Sequence, residues 1–120
     1  MENRKTSPAG ERVLQVAVEQ QYFDAMLSGE KTEEYREANQ YWTRRLAGKE
    51  FDRVVITWGY PSKTDKKRRI EMPFTGISKK VIRHPHFGDK DLEVFAINIA
   101  PRDQWTHDPA LAHKKTEIVV

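Results

Sequence analysis

The sequence predicts an α+β fold, a small β-barrel with two short helices near the N-terminal half. Short β-branched or alternating apolar runs recur along the chain, and two early stretches switch to helical spacing. The 120 residues suffice for one core but not for two. With helices first and a meander of strands after them, strands that curl around one core with helices across the ends bury the apolar faces most simply. Residues 1–10 are polar and read as a flexible N-terminal tail, and 11–120 read as a single domain.

The elements follow in order. Val13, Leu14, Val16 and Val18 make 13–18 a short buried strand. Phe23, Met26 and Leu27 then stand at i, i+3 and i+4, one face of a helix over 19–28. Gly29 comes where a left-handed residue ends a helix. Residues 31–37 are charged, contain no breaker and follow a turn, so they run extended. Asn39 caps a second helix whose anchors, Trp42 and Leu46, lie one turn apart, and which stops near Gly48. Residues 54–58 form a strand that Gly59 and Pro61 break. A basic loop follows. Ile70, Met72 and Phe74 alternate, and Pro73 places them on an edge strand or bulge. Residues 76–83 continue extended, with Val81 and Ile82 as their apolar part, before a turn-rich loop over 84–89. Phe95, Ile97 and Ile99 share one face of the last long strand, 93–100. Ile118, Val119 and Val120 are placed as a short closing strand.

Composition narrows the function classes. Without cysteine the chain has no disulfide and no thiolate zinc site. His84 and His86 flank Pro85 without a third ligand, so no metal and no cofactor are expected. No apolar run of about 18 residues is present to span a membrane, and residues 1–10 lack the apolar core of a signal peptide. The protein is read as cytoplasmic, with no membrane partner.

The net charge of +3 is too mild to identify a nucleic-acid partner, but its distribution is uneven. Between Lys63 and Arg83 eight basic residues face only Asp65 and Glu71. A local field of that kind attracts phosphate, although a solvated loop has the same composition. Lys63, Lys66, Lys67, Arg68 and Arg69, with Arg44 and Arg45 on the second helix, are the candidate nucleic-acid contacts. Tyr60, at a strand end beside this loop, is a candidate for stacking on a base, whereas Trp58 continues the alternation of a core strand.

The segment Gly29-Glu30-Lys31-Thr32-Glu33-Glu34-Tyr35-Arg36 carries the candidate site. In an extended chain Lys31, Glu33 and Tyr35 face one way and Thr32, Glu34 and Arg36 the other. A carboxylate and a guanidinium two residues apart on one face offer acceptors and planar donors together, which suits the edge of a base. Lys31, just past the turn, leans over the same cleft as a base, nucleophile or electrostatic stabiliser. Lys31 and Glu34 are the candidate catalytic residues. Gly29, Thr32, Tyr35, Arg36 and Tyr60 are the candidate ligand contacts.

Read as Gly-x-Lys-x-x-Glu-x-Arg, positions 29, 31, 34 and 36 resemble the signature of the ASCH domain, a branch of the PUA-like superfamily. The preceding strand and helix fit as well, and the resemblance covers roughly residues 13–100. It implies a PUA-like β-barrel and a protein that binds RNA or a nucleotide, with metal-independent ribonuclease activity in the cleft as one possibility. Other members resemble amidohydrolases that deacetylate N4-acetylcytidine with a lysine, a threonine and a glutamate. Here Glu34 stands at the threonine position and Thr32 lies one pleat earlier. A non-enzymatic protein-interaction module is the third reading.

Overall fold

The computed structural model describes residues 10–83, 85 and 88–110. Along the chain they form β1 (Val13–Val18), α1 (Gln20–Ser28), β2 (Glu33–Glu37), α2 (Gln40–Leu46), β3 (Arg53–Trp58), β4 (Arg69–Pro73), β5 (Ile77–Ile82) and β6 (Leu92–Asn98). Short 3-10 turns occur at Lys66–Arg68 and Arg102–Gln104. The expected tail, the His84 and His86 pair and the terminal strand at 118–120 lie outside the described residues or nearly so, Gly10 alone being described from the tail.

Local sequence explains the boundaries. Gly29 takes φ +89°, a left-handed conformation that suits glycine, and it ends α1. The Lys31 N–H then returns to the Ala25 carbonyl at 3.0 Å, which folds the following segment back against the helix. The Asn39 side chain accepts from the Trp42 N–H at 2.9 Å, so α2 begins with a satisfied donor. Pro73 ends β4, which lies at a sheet edge where its missing donor matters least.

The strands make two three-stranded sheets, ordered β1-β3-β4 and β2-β6-β5. β1 runs parallel to β3, with Val13 opposite Arg53 and Val18 opposite Trp58. The remaining pairs are antiparallel. Neither sheet closes into a barrel, which corrects the predicted closed β-barrel while the α+β class stands. The physical reason is visible where the sheets meet. Between β1 and β2 the Arg36 guanidinium donates to the Ala17 carbonyl at 2.8 Å. Beyond β6 the Ala100 N–H is donated to the Met72 sulfur of β4 at 3.4 Å. Side chains join the two sheets there in place of backbone ladders. Among the described residues the outer edge of β4 receives a single bridge, from Glu71 to His107.

The core lies between the sheets and is covered by α1. Leu14, Val16, Val54, Ile56, Ile70 and Met72 from the first sheet meet Phe95 and Ile97 from the second, with Phe23 and Met26 of α1 and Leu46 of α2. Leu27, expected on the same helix face as Phe23 and Met26, packs only at the margin. Phe95, Ile97 and Ile99 are buried as expected, but Val94 and Ala96 are buried too. β6 is the central strand of its sheet, and on the second face Val94 stands between Glu37 and Lys80 and Ala96 between Tyr35 and Ser78, whose side chains flank them. Among the described residues no helix is long and apolar enough to cross a membrane.

Removing the α2 cap tests this account of its start. Asn39→Ala is expected to lower stability by about 1 kcal/mol, measured as a shift of the urea midpoint at unchanged slope.

Candidate functional site

Residues directly opposite one another in an antiparallel pair share a face. Glu34 lies opposite Ile97 and Arg36 opposite Phe95, so β2 turns a carboxylate and a guanidinium towards the core. Glu34 is 7% exposed. An ionised group buried to that degree requires partners, and Glu34 has two. Its Oε2 accepts from Arg36 Nε at 3.1 Å and from Arg36 Nη2 at 2.8 Å. Its Oε1 lies 3.4 Å from Lys31 Nζ. The expected pairing of Glu34 with Arg36 is therefore present.

Lys31 departs from the expected alternation. It was placed on the face of Glu33 and Tyr35, yet its ammonium reaches Glu34. The pleat begins only at Glu33, and the turn after Gly29 is still settling at Lys31. The ammonium lies 5.2 Å from the ring centre of Tyr22 and 5.1 Å from that of Tyr35, so a carboxylate and two ring faces surround it.

Tyr35 is anchored on the other face. Its hydroxyl donates to Glu33 Oε1 at 2.9 Å, and Lys80 Nζ donates to the same oxygen at 2.7 Å. Burial, and after it the hydrogen bond to Glu33, hold the Tyr35 phenol above its ordinary ionisation range. The hydrogen bond from Lys80 holds the Glu33 carboxyl below its ordinary range.

Trp42 forms the opposite wall. Asn39 fixes the start of its helix, and the Arg36 guanidinium lies 5.1 Å from its ring centre. Arg45 lies 5.5 Å from the rings of both Trp42 and Tyr41. Together Tyr22, Lys31, Glu34, Tyr35, Arg36 and Trp42 border a pocket of about 300 Å³, which Val18, Glu19, Glu37 and Asn39 complete with Ala17. Among these lining residues there is no serine, threonine or cysteine.

Four candidates from the sequence, Lys31, Glu34, Tyr35 and Arg36, thus line one pocket. The others do not. Gly29 makes the turn that delivers Lys31. Thr32 is exposed and contributes its carbonyl, which accepts from the Ile99 N–H at 3.0 Å. Tyr60 is 93% exposed and outside the pocket. Arg44, Lys63, Lys66 and Lys67 are exposed. Arg68 lays its guanidinium 4.4 Å from the ring centre of Trp58, and Arg69 donates from Nη2 to the Ser62 carbonyl at 3.3 Å. The Gly59 N–H donates to the carbonyl of Val18, a lining residue, but Trp58, Gly59, Arg68 and Arg69 do not themselves line the pocket.

Sequence reasoning missed Tyr22 and took Asn39 only as a cap. Tyr22 precedes the core residue Phe23 on α1, and a tyrosine beside the apolar stripe was the available signal. Among the described residues no cluster of three or more histidines, aspartates or glutamates is placed to hold a metal ion. No family model, no curated protein and no solved structure matches the chain.

The Glu33 ion pair gives a pH test. A carboxyl whose native pKa lies below its ordinary value of 4.5 adds stability above that value and loses it as pH falls through the native one. Glu33→Gln is expected to be less stable than the parent at neutral pH, with the difference vanishing on acidification below that value. Chemical denaturation across the acid range measures it, and a difference independent of pH contradicts the assignment.

Proposed function

We propose that the Glu34 pocket binds a nucleobase of RNA or of a nucleotide, and that the cations around it hold phosphate. One observation carries this reading. A buried carboxylate has one oxygen occupied twice by Arg36 and the other met, among the described residues, only by Lys31, at a long 3.4 Å. An ionised carboxylate accepts about four hydrogen bonds. Acceptor capacity therefore remains at Oε1, beside an ammonium and between aromatic walls. A base edge that presents an N–H next to a carbonyl or ring nitrogen satisfies both the carboxylate and the ammonium. A pocket of about 300 Å³ is at the small end of ligand sites and suits a single base.

The resemblance of Gly29, Lys31, Glu34 and Arg36 to the ASCH signature supports the same reading, as does the basic loop that follows Trp58. The proposal extends to metal-independent RNA cleavage. In that reaction the substrate's own 2′-hydroxyl loses its proton to water and attacks phosphorus, giving a 2′,3′-cyclic phosphate, while the 5′-oxygen leaves and takes a proton from water, so the pocket need not supply a nucleophile. Lys31 would then stabilise charge developing on the phosphoryl oxygens. The alternative, hydrolysis of an acetylated nucleoside, has less support. No hydroxyl nucleophile other than tyrosine lines the pocket, and Thr32 points away from it to solvent.

Fluorescence anisotropy with a short single-stranded RNA tests the reading. Log affinity is expected to fall linearly with log salt concentration, at a slope set by the number of phosphates contacted. Lys31→Ala is expected to weaken binding at least about tenfold while Arg36 continues to hold Glu34 and the thermal midpoint stays within about 2 °C. Loss of binding that only tracks loss of fold would return Lys31 to a purely structural role.

A further inference from the structure

We propose that the main-chain N–H of Tyr35, on the open edge of β2, donates a hydrogen bond to the base held in the Glu34 pocket, a role that rests on the reading of that pocket as a base site. In an antiparallel pair the N–H and C=O of alternate residues point to the partner strand, and those of the residues between point away from it. The Ile99 N–H donates to the Thr32 carbonyl at 3.0 Å, and the Ala38 N–H to the Glu93 carbonyl at 2.9 Å. With the register of β2 on β6, these bonds turn the main chain of Thr32, Glu34, Arg36 and Ala38 towards β6. Glu33, Tyr35 and Glu37 therefore turn theirs outwards.

β1 meets this edge with an open edge of its own. The Gly59 N–H donates to the Val18 carbonyl at 3.0 Å, so Val18 turns to β3 and its neighbour Ala17 turns outwards. Arg36 Nη2 finds the Ala17 carbonyl there, at 2.8 Å. The pocket of about 300 Å³ lies along these two edges. From β2 it is lined by Glu34 and Arg36 of one face and by Tyr35 and Glu37 of the other, and β6 contributes no lining residue. A pocket bordered by both faces of a strand, without its neighbour, lies beyond the strand's outer edge. Ala17 and Val18 line it from β1. Of the outward residues, Glu33 does not line the pocket, and the Glu37 carbonyl is closed by the Asn39 N–H at 2.8 Å. Tyr35 lines it, and among the described residues neither its N–H nor its C=O has a hydrogen-bond partner.

The donor is held still. The ladder to β6 fixes the strand, and the Tyr35 hydroxyl is tied to Glu33 Oε1 at 2.9 Å. A rigid group loses little freedom when a ligand binds. A main-chain N–H also cannot ionise or swing away, as the Lys31 ammonium can. The pairing edge of each nucleobase sets a carbonyl oxygen or ring nitrogen beside an N–H. Glu34 Oε1 takes that N–H, and Lys31 and the Tyr35 N–H are the donors for the acceptors beside it. The Arg36 guanidinium spans the gap to β1, so the opening admits a small planar group and blocks a continuous added strand.

The test follows main-chain amides by NMR in the isotope-labelled full-length protein. Before any ligand is added, the Tyr35 amide proton is expected to exchange with solvent faster than those of Glu34 and Arg36, which face β6. The ribonucleoside monophosphates of adenine, guanine, cytosine and uracil are then titrated in turn. With at least one of them the Tyr35 amide and Trp42 indole signals are expected to shift together and saturate, while exchange at Tyr35 slows. Replacing the Tyr35 N–H by an ester oxygen, with the side chain kept, is expected to weaken that binding about tenfold. The same replacement at Arg36, a ladder donor, is expected to lower the thermal midpoint more. Equal exchange at Tyr35, Glu34 and Arg36 in the free protein overturns the open edge and the proposed bond together. A saturable Trp42 shift without a Tyr35 shift, or undiminished binding by the folded ester, overturns the bond and leaves the reading of the pocket in place. If no monophosphate moves the Trp42 signal, the reading of the pocket fails and the bond falls with it.

Discussion

Arg36 is the group on which the arrangement of this protein depends. Its guanidinium holds Glu34 through Nε and Nη2, reaches across to the Ala17 carbonyl of β1, and covers the Trp42 ring of α2. Three elements that do not share a backbone ladder meet there. The ion pair itself lies within β2, and it is an inefficient source of stability. Desolvating both charges offsets most of their attraction, and two apolar side chains of similar size commonly stabilise as well or better. Having buried Glu34, however, the fold needs Arg36, because an unpartnered buried carboxylate costs far more than the pair contributes. The pair is therefore required by the structure without being its most stabilising solution. That imbalance is the physical ground for the proposed ligand site here.

Much of the fold was legible because it is written locally. The β-branched run at 13–18, the left-handed Gly29, the Asn39 cap and the edge strand marked by Pro73 each act within a few residues, and each stands where its sequence places it. That the sheets stay open was not legible, and a closed barrel was expected instead. Closure depends on which edges find each other, and here the meetings at Ala17 and at Met72 are made by side chains from distant segments. Parallel pairing of β1 with β3 is equally non-local, since α1, β2 and α2 intervene. The site divides in the same way. Glu34 and Arg36 followed from strand alternation. Lys31 did not, because alternation holds only inside the pleat and Lys31 precedes it. Tyr60 looked suitable by its neighbours in sequence, yet at 93% exposure it has no neighbours in space to make a pocket.

The basic loop shows how composition and placement differ in what they say. Eight cations within a short span state a field and nothing more. Folding sorts those in the first stretch into two kinds. Lys63, Lys66 and Lys67 stand in solvent, where their charge is screened within about 10 Å. Arg68 and Arg69 are drawn against the Trp58 turn, where burial strengthens each interaction they make and penalises each one they lack. The tryptophan that alternation assigned to the core thus has a second part, as a platform for a cation.

The unused side-chain polar capacity that a ligand could meet lies at the buried carboxylate. Acceptor capacity remains at Glu34 Oε1, inside the pocket. Arg68 and Arg69 Nε also lack a partner among the described residues, but both atoms are buried, and the strand register turns the two side chains to opposite faces of the sheet. Their cost is internal to the fold, whereas that of Glu34 can be recovered by a ligand. Such a ligand must offer an N–H to Oε1, and in doing so it recovers desolvation already spent on the carboxylate. The physical case for the proposed base edge therefore rests on Glu34 Oε1 having no partner nearer than Lys31, at 3.4 Å, among the described residues.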